Sequence, residues 1–290
     1  MLQMVRNIIL TGVAMLAMSG CDHFDFKGFF VPTGDVVQKR FEQSMDITGN
    51  KAVDGVETND EYILYVCTDP HIDGSADNLQ KFNDALRSDS DAALGIILGD
   101  CIDQKDKYKE YLAATEYDEA KHSYNHKIYH ILGNHDTYFG GWEKFKSLIG
   151  PSVYWFEVTF ATGKDLYISL DTATGTMGGK QMQWLKSFLS KYRSNYRYCF
   201  IVTHTNFFYT DNSQTGSGNM ALEETAALTE LFSRHKVTLC LQGHDHYREE
   251  LMLGGVQYTI IGTISDSAKQ AEYLIICLSN EGVEYSWEYI

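Results

Sequence analysis

Five short apolar runs in the sequence each stop at residues of types that bind metal ions. Tyr62 to Thr68 ends at Asp69-Pro70-His71, and Leu94 to Leu98 at Gly99-Asp100-Cys101-Ile102-Asp103. Lys127 to Leu132 runs into Gly133-Asn134-His135-Asp136, Tyr198 to Thr203 stops at His204, and Val237 to Gln242 stops at Gly243-His244-Asp245-His246. An apolar run of this length between polar stretches reads as a strand buried on both faces. The pattern predicts neighbouring parallel strands with these residues at their C-terminal ends, where open α/β sheets bind ligands.

Asp69 to Asp100 is 31 residues and Asp100 to Asn134 is 34, each about one strand, one crossover helix and the return. Right-handed crossovers bring the strand ends back to one edge. Asp69, His71, Asp100, Asn134, His204, His244 and His246 then converge as two aspartates, one asparagine and four histidines. Hard oxygen and borderline nitrogen donors without thiolate suit Mn, Fe, Zn or Co. Seven such donors exceed one ion and fit two ions that share a carboxylate.

These blocks resemble the calcineurin-like metallophosphoesterases, whose signature is an aspartate and histidine two apart, then Gly-Asp-x-x-Asp, Gly-Asn-His-Asp or Gly-Asn-His-Glu, a lone histidine after a strand, and Gly-His-x-His. All five occur in order between Asp69 and His246. The resemblance implies that Asp69, His71 and His246 hold one metal ion, that Asn134, His204 and His244 hold the other, and that Asp100 bridges them. It implies that His135 contacts the substrate phosphate and protonates the leaving oxygen, with Asp136 holding its ring. The pattern departs from the purple acid phosphatase branch, which has a tyrosine ligand where Asp103 stands and no histidine at the place of His71, so no tyrosinate-to-iron colour is expected.

The implied reaction explains the residue types. Two cations roughly 3.5–4 Å apart can clamp both sides of an in-line displacement at phosphorus and acidify a bridging water. The resulting hydroxide attacks, and an imidazole with a pKa near 6.5 delivers the proton to the departing alkoxide. The neutral Asn134 carbonyl keeps the pair more positive than a third carboxylate would. The implied enzyme is a dinuclear-metal phosphoester hydrolase acting on a phosphomonoester, phosphodiester or nucleotide, with Mn, Fe or Zn as the ions. The alternative is an inactive family member serving as a surface binding or scaffold lipoprotein, against which stands the intact ligand set.

A formal charge of −15 disfavours a nucleic-acid-binding surface, which neutralises phosphates with clustered Lys and Arg. Hydrophobic content of 44% and 290 residues suit an α/β domain with a large core. Met1 to Gly20 carries Arg6, an apolar core from Ile8 to Met18, and Ser19-Gly20 before Cys21. It is too short to span a membrane and reads as a secretory signal. Cys21 then resembles the lipidated first residue of a bacterial lipoprotein, although Met18 stands where leucine is commoner; an ordinary signal peptide is the other reading. On the first, the protein is anchored in the cell envelope, facing the periplasm or the cell surface. The remaining five cysteines are odd in number and four lie inside apolar runs, which points to buried thiols rather than disulfides.

The expected organisation is a signal peptide over 1–20, a tether and N-terminal extension over 21–60 with Val36 to Met45 packed on the core, and the phosphoesterase domain over 61–290. Helical patterns cover Ala76 to Arg87, Lys105 to His122, Gly178 to Tyr192 and Met220 to His235, the last capped by Asn219. Val153 to Phe160 and Leu166 to Leu170 read as strands. After His246, the runs Glu249 to Leu253, Val256 to Ile261, Glu272 to Leu278 and Val283 to Glu288 read as antiparallel strands of a second sheet. The expected class is thus a four-layer α/β/β/α sandwich of two mixed sheets flanked by helices.

Several other residues have competing readings. His122, His126 and His130 recur every four residues, but His130 belongs to a strand, so solvent or packing roles are favoured. Asp103 reads as an acceptor that orients a ligand, Asp245 as pointing away from the site, and Arg248 as an exposed strand residue rather than a phosphate contact. Asp171 is either a support near the site or a turn aspartate. The loop Thr205 to Gly218, with Phe207, Phe208 and Tyr209, is either a lid that stacks on a leaving group or a plain surface loop.

Overall fold

The computed structural model describes residues 33–103, 106–118, 123–124, 127–208 and 219–290. The signal-like stretch, Cys21, His122, His126 and positions 209–218 of the candidate lid lie outside the described residues. In chain order the elements begin with α1 (Thr33–Thr48), β1 (Val56–Glu57), β2 (Tyr62–Cys67), α2 (Asp77–Ser88), β3 (Ala92–Ile97), α3 (Tyr108–Ala114), β4 (Tyr117–Asp118), β5 (Ser123–Tyr124) and β6 (Ile128–His130). There follow a 3-10 turn (His135–Gly140), α4 (Gly141–Leu148), β7 (Tyr154–Phe160), β8 (Gly163–Ser169), α5 (Gly178–Tyr192), β9 (Cys199–Val202) and α6 (Leu222–Arg234). The chain closes with β10 (Leu239–Gln242), β11 (Glu249–Leu253), β12 (Val256–Ile260), β13 (Glu272–Leu278) and β14 (Val283–Tyr289).

Twelve of the strands form two mixed sheets, one ordered β14-β13-β2-β3-β6 and the other β1-β7-β8-β9-β10-β12-β11, while β4 and β5 pair only with each other. Three apolar cores separate four layers. Leu64, Val66 and Ile96 meet Phe156, Phe200 and Leu241 between the sheets. On the outer face of the five-stranded sheet, Cys67 and Ile97 pack on Phe82 of α2, Tyr111 of α3 and Phe145 of α4. On the outer face of the seven-stranded sheet, Ile168, Ile201 and Cys240 pack on Leu185 of α5 and Leu228 of α6. Both sheets are therefore covered on both faces, which is why their central strands read as unbroken apolar runs.

Two sequence expectations are corrected here. The five apolar runs are not neighbours in one sheet: β2, β3 and β6 pair in parallel in one, while β9 and β10 pair in parallel in the other. Periodicity reports burial, which both sheets offer equally, so it cannot assign a strand to either. The four runs after His246 likewise divide instead of forming a sheet of their own. β12 lies parallel to β10 with β11 on the edge, and β13 lies antiparallel to β2. The change of sheet occurs in the segment between β12 and β13, where Thr263 Oγ1 donates to the Asp69 carbonyl (2.7 Å) and Ile264 N to the Thr68 carbonyl (3.0 Å).

Helix bounds also shift. The pattern from Lys105 yields only α3, because Glu116 takes a left-handed φ of 54° and Thr115 Oγ1 bonds back to the Tyr111 and Leu112 carbonyls. Asn219 does not cap α6; its Nδ2 donates to the Phe208 carbonyl, and Ala221 takes the cap position. Conversely, the glycines around 28–55 do not prevent a 16-residue helix, since α1 runs between Pro32 and Gly49 and buries Val37 and Phe41. Cys67, Cys101, Cys199 and Cys240 are buried free thiols, and Cys277 is free and exposed. Among the described residues no helix is long and apolar enough to cross a membrane.

His130 on β6 is buried beside the Tyr111 hydroxyl, and burial pushes its ring down to about 3. The unfolded chain takes up a proton near 6.5 that the folded chain refuses until about 3, so stability is full above pH 6.5 and falls as the pH drops. The expected contribution is up to about 1.4 kcal/mol per pH unit across that window. Melting temperatures from pH 7 to 4 should fall less steeply for His130→Gln than for the parent protein; parallel curves would show that His130 contributes nothing to acid sensitivity.

Candidate dinuclear metal centre

Each site block follows the C-terminal end of a strand. Beyond β2 and β3 the two chain segments stay in register, with Asp69 N donating to Gly99 O (3.1 Å), His71 N to Asp100 O (3.0 Å) and Ile72 N to Cys101 O (3.2 Å). Asp69, His71, Asp100, His244 and His246 all have positive φ, between 47° and 76°. They are five of the nine non-glycine residues in that region among the described residues. Such conformations cost side-chain-bearing residues energy and collect at functional sites. Here they turn the backbone sharply at the strand ends and face the side chains into one cleft.

Glycine is required where these turns touch. A Cβ on Gly133 would fall 2.1 Å from Asp100 N, and one on Gly243 would fall 2.0 Å from Thr68 Oγ1. Both contacts bring neighbouring turns together more closely than any side chain permits. The two sheets are also stitched at this edge, because His204 Nδ1, after β9, donates to the Leu98 carbonyl after β3 (2.8 Å). That bond fixes the tautomer and presents Nε2 to the cleft.

Two donor groups result. In the first, Asp69 Oδ1 lies 3.2 Å from His246 Nε2 and 3.6 Å from His71 Nε2, and the two imidazole nitrogens are 3.0 Å apart. In the second, His204 Nε2 lies 3.3 Å from Asp100 Oδ2, 3.0 Å from Asn134 Oδ1 and 3.2 Å from His244 Nδ1. Asp100 Oδ2 is also 3.7 Å from His71 Nε2, so this carboxylate faces both groups, while its Oδ1 accepts the His135 backbone N–H at 2.8 Å.

A pair of cations fits these residues. Asp69 Oδ1 is fully buried and accepts no hydrogen bond among the described residues, an arrangement that is costly unless a cation supplies the partner. Nitrogens each about 2.1 Å from a shared ion and at right angles stand about 3 Å apart, as do His71 Nε2 and His246 Nε2. The electrostatics agree. Burial alone pushes the Asp69 and Asp100 carboxyls up, but the facing histidines, led by His204, outweigh it and hold both below the ordinary carboxylate range. Burial pushes His204 down, yet Asp100 and Asp69 carry it up to about 9, whereas burial and His204 push His244 down to about 3. The carboxylates draw positive charge into the cleft, and metal ions can provide it.

Asp103 orients the ligand His71 as expected, and it also takes the role expected of Asp136. Asp103 Oδ1 accepts from His71 Nδ1 at 2.6 Å and faces His135 Nδ1 at 3.1 Å. The carboxylate that holds the His135 ring is therefore Asp103 and not Asp136. Asp136 is fully buried and accepts from the backbone N–H of Gly133 (3.0 Å) and Cys101 (3.3 Å) and from the Tyr108 hydroxyl (3.1 Å). Burial, then Asp100, pushes Asp136 up to about 7. It ties the turn carrying Asp100 to the turn carrying Asn134. The role carried over from the family resemblance to Asp136, adjacent to His135 in the chain, falls to Asp103, which reaches the ring through the tertiary fold.

Other singled-out residues fall outside the donor set. Asp245 is buried and accepts from Asn206 Nδ2 at 2.6 Å, and Arg248 faces Glu272 (3.3 Å) and the Trp287 ring. Tyr138 was not anticipated: its hydroxyl accepts from Asn134 Nδ2 at 2.8 Å, which turns the Asn134 carbonyl oxygen towards His204. Its position four residues after Asn134 was the available signal.

The sequence profile of the calcineurin-like phosphoesterases matches residues 63–248. The chain belongs to the calcineurin-like phosphoesterase family. It is a metal-dependent phosphoester hydrolase by that membership. Similar solved structures include a dimetal phosphatase from Danio rerio, with 16% identity and a TM-score of 0.58 over 78% of this chain and 98% of that one. GAP50, the anchor in the inner membrane complex of Plasmodium, aligns with 16% identity and a TM-score of 0.60 over 79% of this chain and 84% of its own. The purple acid phosphatase PPD1 from yellow lupin seeds aligns with 11% identity and a TM-score of 0.62, over 80% of this chain and 52% of that one. No protein in a search of curated sequences matches. At these identities the structural likeness concerns the fold, and function rests on the site.

Replacing Gly133 by alanine should force the Asp100 and Asn134 turns apart. Metal affinity is expected to drop about 10- to 100-fold, as for loss of the groups that orient ligands. Chelator competition on Gly133→Ala would check this; parental affinity would mean the turns can separate without cost.

Proposed function

We propose that the protein hydrolyses phosphoesters at a two-metal centre built from Asp69, His71 and His246 on one side and Asn134, His204 and His244 on the other, with Asp100 shared. The observation that carries this reading is the position of Asp100 Oδ2, within 3.3 Å of His204 Nε2 and 3.7 Å of His71 Nε2. Metal ions bound there, Mn, Fe or Zn by the donor chemistry, would supply Lewis acidity and a water acidified towards neutrality. The substrate is a phosphomonoester, a phosphodiester or a nucleotide.

The chain's own residues do the rest. Asp103 accepts a hydrogen bond from the Nδ1–H of His71, which keeps the proton on Nδ1 and so directs the His71 Nε2 lone pair into the cleft. The same carboxylate oxygen orients His135, whose Nε2 lies 4.0 Å from Asp100 Oδ2 at the cleft mouth. Burial pushes the His135 ring down, but Asp100 and Asp103 outweigh it and raise it, and an imidazole is suited to deliver the proton that a departing alkoxide needs. His135 is thus the general acid, and Asp136 holds the turn on which it sits. We further infer that residues 1–20 form a signal peptide and 21–60 an extension to the domain at 61–290. Lipidation of Cys21 would keep the enzyme on the envelope, facing away from the cytoplasm.

Protein lacking residues 1–21 should bind close to two divalent ions per chain. His135→Ala should retain both ions and lose about 10²–10⁴ in turnover on alkyl phosphates, with a smaller loss on p-nitrophenyl phosphate, whose leaving group needs little protonation. Asp100→Ala should lose metal and both activities. Stoichiometry of one or less in the parent sinks the dinuclear reading, and undiminished alkyl ester hydrolysis by His135→Ala removes the general acid. A screen of monoesters, diesters and nucleotides with Mn added reads out the substrate class.

Cys21→Ala should move the full chain from the membrane to the soluble fraction, because acyl chains would supply the anchor. Retention of the variant through an alkaline wash rules out Cys21 as the attachment point.

A further inference from the structure

Helix α1 lies outside the segment that matches the family, yet it places a charged side chain inside the domain. Arg40 is 1% exposed. Its Nε and Nη2 donate to Asp171 Oδ2 (2.7 Å) and Oδ1 (2.8 Å), a bidentate pair joining positions 131 residues apart. Asp171 follows β8 at the cleft end of the seven-stranded sheet, where it also accepts from Ser152 Oγ (2.9 Å). The next residue, Thr172, grips the chain on both sides of His204. Its Oγ1 bonds to Thr203 Oγ1 (2.7 Å) and accepts from Thr205 N (3.0 Å), and its carbonyl accepts from Thr205 Oγ1 (2.7 Å).

We propose that Arg40 is a positioning residue for the metal centre, holding Asp171 and Thr172 so that Thr172 fixes Thr203 and Thr205 and thereby the His204 ring between them. This rests on the reading that His204 holds a metal ion. Stability alone does not account for the pair. A buried ion pair is commonly no better for stability than apolar side chains of similar size, and breaking one leaves a charge stranded. Arg40 Nη1, moreover, is buried with no hydrogen-bond partner among the described residues, a further cost. What the pair supplies is direction, since a planar fork on a carboxylate fixes both groups in one geometry. Helix α1 spans the same end of the molecule: Gln43 accepts from Trp142 Nε1 of α4 (2.8 Å) and Phe41 packs on Trp184 of α5. It therefore joins the helix that follows the His135 turn to the helix that follows Asp171.

The test compares the protein lacking residues 1–21 with Arg40→Met/Asp171→Leu, which removes both charges at once, and with Thr172→Val, which leaves the ion pair and removes the two bonds that Thr172 Oγ1 makes to Thr203 and Thr205. Chelator competition with Mn and amide hydrogen exchange are read on each. If Arg40 positions His204, both variants hold the weaker of the two ions about 10- to 100-fold less tightly. Exchange then quickens at Thr203 to Thr205 while β10 stays protected. Parental affinity and exchange in the folded double variant overturn the proposal. If the double variant does not fold, Arg40→Lys, which keeps the charge and loses the bidentate fork, decides: loosened metal supports the positioning role, and unchanged metal binding refutes it. Should the parent protein bind no metal, the two-metal reading fails separately, and exchange at Thr203 to Thr205 still decides whether the grip exists.

Discussion

Two buried carboxylates at the meeting edge of two sheets, Asp69 and Asp100, set the terms for the rest of this structure. Neither has enough hydrogen-bond donors in the fold to stay ionised cheaply, and both are held ionised by imidazole rings: His204, His246 and His71 face Asp69, and His204, His135 and His71 face Asp100. Negative charge in a low-dielectric cleft must be balanced locally. The protein balances it with groups that are themselves good metal ligands, which turns an electrostatic cost into a site with affinity for cations. Among the described residues the ion pairs of both carboxylates are made with histidines and not with lysine or arginine.

Bringing those groups together required the backbone to be held in uncommon states. Five proposed ligands sit at positive φ, and Gly133 and Gly243 allow turns to approach where a methyl group would collide. The surrounding structure keeps these turns from relaxing. Asp136 spans two of them, His204 binds the opposite sheet through the Leu98 carbonyl, and Thr263 holds Asp69 from the segment between β12 and β13. The centre is therefore a joint between the two sheets as well as a site for chemistry, so changes to the joint and to the site are expected to be hard to separate.

Helix α1 shows that the working unit is larger than the segment recognisable by family resemblance. In sequence the stretch Val36 to Met45 reads only as a patch packed on the core, and an arginine within it carries no pattern of its own. Arg40 became meaningful only beside Asp171, to which no spacing connects it. The loop at 205–218 remained ambiguous in sequence for a different reason: polar, glycine-rich composition is shared by lids and by plain loops.

The sequence by itself determined the donor set and its chemistry. Short apolar runs halted by Asp, Asn and His force those side chains to strand ends, and five such blocks in a fixed order carry the family. Strand identity was legible too, because burial on both faces leaves an uninterrupted apolar record. Tertiary structure alone decided which sheet each strand joined, since a run such as Tyr198 to Thr203 is equally suited to either. It also decided that Asp103, 32 positions away, and not the adjacent Asp136 orients His135. Neighbourhood along the chain says little about which carboxylate a ring meets, because a sharp turn sends consecutive side chains in different directions and a second turn, from another strand end, delivers the partner.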